Sequence, residues 1–227
     1  MKRQLIYQIR YIAFFIGFIC LSGGSCRNSY MYNPSLNLPP EPPTKGGDYR
    51  IFSSIGIYPE ARPEQVTKSD NFGFGGGAMI AIVKAVSYNI LFTTDNISFD
   101  FGTGLTIFLE TQKKNMPAIL NIRFQSAGDI WGSGQGLAIQ CGTYLYREKN
   151  SSVYVMSGWG LAYSDDRKNN TITNGYGYGF LNNVGLSLEI NKKASLLLET
   201  ALIYQYSNYD KIERFLLAPN LCFMFRL

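Results

Sequence analysis

Hydrophobic and polar residues alternate along most of the chain from residue 48 onward, most clearly at residues 96–109. There Ile97, Phe99, Phe101, Leu105, Ile107 and Leu109 fall on one face of a strand, and Ser98, Asp100, Gly102, Gly104 and Thr106 on the other. Successive side chains of a strand point to opposite sides, so the segment has one apolar and one polar face over a length that crosses a bilayer. The same period of two predicts ten strands, roughly 48–57, 72–82, 85–94, 97–109, 118–126, 135–147, 151–163, 175–190, 194–206 and 216–227. No long helical period occurs after the first 26 residues. Leu217, Leu221, Phe223, Phe225 and Leu227 alternate with Ala218, Asn220, Cys222, Met224 and Arg226. This last segment resembles the C-terminal strand that outer-membrane barrels present for insertion, with Leu where an aromatic residue is common. Pro219 cannot donate a ladder hydrogen bond, so an irregular start is expected there.

The links between these strands suggest which end faces which compartment. Residues 58–71, 164–174 and 207–215 read as long loops, whereas Val83-Lys84, residues 148–151 and residues 191–193 are short. Long loops on one side and tight turns on the other suit an outer-membrane barrel with both termini in the periplasm and an even strand number. The short Asp95-Asn96 link breaks the rule once. The expected fold is therefore all-β, a single antiparallel up-and-down transmembrane β-barrel of ten strands over residues 48–227. Eight strands is the alternative if two short segments merge or stay outside the wall.

Composition agrees with that reading. The chain has 23 Gly, 15% aromatic and only 16% charged residues, where a soluble domain carries about 25% charge. The N-terminus is a separate unit. Lys2, Arg3 and Arg10 precede an apolar run from Tyr11 to Leu21 and then Ser22-Gly23-Gly24-Ser25-Cys26. A basic start, a short apolar core and small residues make residues 1–25 a secretory signal peptide. Cys26 stands where bacterial lipoproteins carry their lipid, although the expected Leu lies five residues ahead of it instead of three; ordinary cleavage near Ser25 is the alternative. Five of the nine prolines lie in residues 27–47, which read as an extended tether, 26–47, between anchor and barrel. Arg27-Asn28-Ser29 lacks the acidic run that can mark surface export, which favours a periplasmic anchor.

The formal charge of +5 comes mostly from the leader, whose three basic residues leave 18 basic against 16 acidic in the remainder. Nucleic-acid binding calls for a clustered basic face, and none is present. Cys141 and Cys222 are expected on opposite faces and therefore unpaired, and no cysteine spacing suggests a metal site. No cofactor is expected.

Glycine clusters at 73–77, 132–136 and 175–179 lack the helix and the Lys-Ser/Thr of a nucleotide loop. Glycine at alternate positions instead clears one face of a strand inside a narrow barrel. Phe72, Phe74, Tyr176, Tyr178 and Phe180, near the far ends of their strands, read as an interfacial aromatic girdle. The chain contains no histidine. Enzymes on small outer-membrane barrels that use histidine as base or proton shuttle therefore have no counterpart here, and a non-enzymatic role is expected.

The candidate site residues are the charges on the inward face. Arg50, Glu189, Glu199 and Arg226 lie toward the terminal end of their strands. Once the ninth, tenth and first strands meet, Glu199, Arg226 and Arg50 are expected side by side, with Glu189 next along. Asp100 and Arg123 complete this lumen charge network. Opposite charges in a confined lumen should pair, closing the periplasmic half with a salt-bridge plug.

Tyr32-Asn33-Pro34, Leu38-Pro39 and Lys45-Gly46-Gly47-Asp48 resemble a segment that precedes the first strand in uncharacterised outer-membrane β-barrel lipoproteins of Bacteroidota. The resemblance implies the same order of leader, tether and single barrel in the outer membrane, and it implies no activity. Three roles are consistent with the pattern. The first is a structural or surface-interaction barrel, partnered by outer-membrane lipids and able to meet a surface ligand through its long loops. The second is a narrow pore for small solutes. The third is a soluble periplasmic lipoprotein barrel with its faces inverted around an apolar ligand.

Overall fold

A computed structural model of the chain describes residues 46–57, 72–94, 98–109, 117–129, 132–168, 171–207 and 212–227. The signal peptide, Cys26 and nearly all of the tether lie outside the described residues. Ten strands occupy the rest: β1 (Tyr49–Ile57), β2 (Phe72–Val83), β3 (Val86–Thr94), β4 (Ser98–Leu109), β5 (Ala118–Asp129), β6 (Gly132–Arg147), β7 (Ser151–Lys168), β8 (Thr171–Asn191), β9 (Ala194–Ser207) and β10 (Ile212–Arg226). Each is antiparallel to its chain neighbours, and β1 closes on β10, from Arg50↔Arg226 to Gly56↔Asn220. The fold is a closed ten-stranded up-and-down barrel, which settles the count at ten. Closure leaves no edge strand, so every strand has a ladder on both sides.

The alternation sets the two surfaces. Ile51, Ile55, Phe92, Phe99, Leu105, Leu137, Ile139, Leu161, Leu198, Leu202 and Phe223 are exposed on the outside. Trp159 is 51% and Val184 55% exposed in the middle of their strands. Inside lie Arg50, Asn89, Asp100, Thr106, Asn121, Arg123, Gln125, Gln140, Asn183 and Glu199, all buried. The inverted barrel with charges outward is not the arrangement adopted. The aromatic residues Phe74, Tyr176, Tyr178 and Phe180 are exposed as expected; nothing is described of the Phe72 side chain. Tyr178 stacks beside Tyr206 with ring centroids 5.2 Å apart, and Phe180 lies 6.2 Å from Tyr204.

The interior is more apolar than the alternation alone suggests. Phe52, Met79, Phe108, Tyr144, Tyr154, Met156, Leu197 and Met224 pack into one buried cluster inside the wall. Glycine makes room for it: a Cβ on Gly185 would collide with the Tyr154 ring. The ladder slips once in each of three hairpins near the terminal end, at Ala81/Val83, Tyr144/Tyr146 and Glu189/Asn191. The slip beyond Tyr144 turns both Leu145 and Tyr146 outward while Tyr144 stays inside.

The far end differs from expectation. Residues 164–174 were expected as a long loop, but β7 runs to Lys168 and β8 begins at Thr171, with Lys168↔Thr171 paired. Likewise β9 and β10 pair out to Ser207↔Ile212. Beyond the wall no apolar surroundings impose alternation, so the hydrophobic period fades. Backbone pairing does not need it, and Thr171, Ile172 and Thr173 are good strand formers. At 18 and 21 residues, β7 and β8 far exceed the 9–11 residues that cross a bilayer.

Candidate functional site

At the terminal end Asp48 organises the seam. Gly47, at φ 80°, turns the chain into β1, and its N–H donates to the Ala81 carbonyl at 2.8 Å. Asp48 thus extends the ladder one residue ahead of β1 and faces inward, two positions before Arg50. One Asp48 oxygen lies 3.4 Å from the Arg50 guanidinium, and the other 3.4 Å from Nε of Arg226. Arg50 is 1% exposed and also donates to the Met224 sulfur at 3.9 Å, whereas the Arg226 side chain is half open. A guanidinium this deep is tolerable only with a carboxylate beside it.

A second network crosses four consecutive strands higher in the lumen. Gln140 of β6 donates Nε2–H to the Asn183 amide oxygen on β8 at 2.9 Å. Asn183 donates Nδ2–H to Glu199 of β9 at 3.1 Å, and the Tyr154 hydroxyl of β7 donates to the other Glu199 oxygen at 2.5 Å. Tyr154 is fully buried and Glu199 is 3% exposed. Each of these two bonds to the carboxylate is charge-assisted. Enclosed in this way, the network fastens four strands around one buried charge.

Arg50, Glu189 and Arg226 line one cavity at the terminal mouth of the lumen. Glu199 sits opposite Asn220, whereas the Arg226 N–H meets the Lys193 carbonyl, six residues earlier on β9 than Glu199. The ion pair of Arg226 is made with Asp48. Asp100, near the far end, accepts from Thr93 Oγ1 at 3.3 Å, and Arg123 is buried on β5 opposite Gly104. Asp48, Gln140, Tyr154 and Asn183 were not expected as site residues. Their inward parity was readable, but the stagger that brings them together was not. Cys141 is exposed outside and Cys222 buried inside, both free. Among the described residues no His, Cys, Asp and Glu cluster could hold a metal.

No family model and no curated protein sequence matches the chain. Among solved structures it is similar to the KdgM porin (7% identity, 78% of this chain, 98% of that one, TM-score 0.43). It is also similar to the N-terminal β-barrel domain of Pseudomonas aeruginosa OprF (10% identity, 81% and 100% covered, TM-score 0.40). The outer membrane protease OmpT of Escherichia coli is a third such structure (9% identity, 79% and 92% covered, TM-score 0.40). At these identities the likeness is one of fold, and it extends to no residue and no activity.

Proposed function

We propose that this chain is a bacterial outer-membrane barrel with a filled lumen, serving as a structural and surface-contact protein rather than an enzyme. The observation that carries the reading is the sidedness of the wall: large apolar side chains are exposed on all ten strands, while buried polar and charged side chains face the interior. Monomeric soluble proteins rarely leave an apolar patch larger than a few hundred Å² in water, and here it encircles the molecule. Aromatic residues mark both borders, Tyr49, Tyr146 and Phe225 at the terminal end and Phe74, Tyr176 and Phe180 at the other. A lipidated Cys26 and a periplasmic terminal end complete the proposal, with the long β7–β8 hairpin projecting outward for contact.

Expression of the full chain followed by membrane fractionation tests it. Recovery in membranes after high-pH carbonate, with faster gel migration before boiling than after, is the expected result. A Cys26→Ala chain that moves to the soluble fraction as a folded protein would overturn it.

A further inference from the structure

We infer that the terminal mouth of the lumen is a binding site for a compact oxyanion, a phosphate-bearing group above all. The inference rests on the barrel reading only in requiring a folded barrel. Arg50, Arg226, Lys192, Lys193, Ser195 and Glu189 line a cavity of about 30 Å³. That is more than the room one water needs and far less than a path for solutes. Cations outnumber carboxylates there by four to two, counting Glu189 in the wall and Asp48 behind the two arginines.

The chemistry of the walls is that of oxyanion recognition. Guanidinium groups present planar forks of N–H donors suited to phosphate and carboxylate oxygens, and ammonium groups add mobile point charge. Asp48 already fixes the position of both arginines, so their orientation is set before a ligand arrives. Lys192 and Lys193 are exposed in the β8–β9 turn, which the Asn191 side chain holds by accepting the Lys193 N–H at 2.8 Å. Neither lysine side chain has a carboxylate partner among the described residues. Lys192 and Lys193 add two positive charges to this mouth, and a tetrahedral oxyanion supplies the negative charge that complements them.

The test uses the full chain refolded in a nonionic detergent, read by the temperature at which the fast-migrating folded form is lost. Inorganic phosphate is the first probe and dihexanoyl phosphatidylglycerol the second, each against sodium chloride at equal ionic strength. The expected result is a saturable upward shift with phosphate that chloride does not give. The Lys192→Ala/Lys193→Ala chain, whose changes lie in an exposed turn, should need about ten-fold more phosphate, and Glu189→Gln should need less. A shift with both probes identifies a site open to lipid headgroups, and a shift with phosphate alone a site for free anion. The absence of a saturable shift, or an identical shift in the double variant, would overturn the inference while leaving the barrel reading intact. A chain that yields no folded fast-migrating form would overturn both.

Discussion

Arg50 and Arg226 face each other across the seam between β1 and β10, and a single carboxylate, Asp48, lies 3.4 Å from both guanidinium groups. Two like charges at the point of closure would oppose it, and Asp48 converts them into a clasp. Breaking a buried pair by removing one partner leaves an uncompensated charge, which is more costly than never having had the pair.

Asp48→Asn should therefore lower the stability of the folded barrel by about 3 kcal/mol. Arg226→Ala should cost only about 1 kcal/mol, because that side chain is 34% exposed and water screens its share. Urea unfolding in lipid vesicles, followed by tryptophan emission, measures both. Equal losses for the two variants would contradict the clasp.

The lumen network makes a second prediction. Tyr154→Phe removes only the hydroxyl that donates to Glu199, and should cost about 2 kcal/mol as a lost bond to a buried charge. In a Glu199→Gln background the same change should cost about half as much, since the bond is then between neutral groups. The double-mutant cycle gives the coupling, and a coupling near zero would show that the contact holds nothing.

Much of this fold was legible from alternation. Ten strands, their antiparallel order and the facing of Asp100 and Phe99 all follow from the period of two, because a buried and a lipid-facing surface leave no other register for apolar residues. The network around Glu199 was not legible. Which residues of β7 and β8 lie beside it depends on the stagger between strands, set by closure and by bulges such as the one at Glu189/Asn191. Asp48 was within reach: it opens the expected first strand, 48–57, and shares the parity of Arg50, but as the strand's first residue it was not counted among the lumen charges. The far-end hairpins were missed because pairing continues where alternation stops.

On the outer face of β7 and β8 a polar pair lies amid aliphatic and aromatic neighbours. Ser157 donates to the Asn182 amide oxygen at 2.7 Å, with Trp159, Phe180 and Val184 exposed around it. Facing lipid, the Asn182 amide keeps N–H groups that hydrocarbon cannot satisfy. Asn182→Leu should accordingly stabilise the barrel in vesicles by about 1 kcal/mol, the desolvation relieved less the bond given up. A clear destabilisation in the vesicle unfolding assay would show that this part of the wall is not in contact with lipid.

The filled lumen proposed above rests on side chains buried inside the barrel from Arg50 and Met224 at the terminal end up to Leu181 and Ile203. Single-channel recording in planar bilayers tests this filling most directly, using chain delivered from vesicles in which its fast-migrating folded form has been verified. The account predicts a silent membrane at both polarities for the native chain and for Arg226→Ala alike. Reproducible ion-conducting steps from the native chain, enlarged by Arg226→Ala, would contradict it.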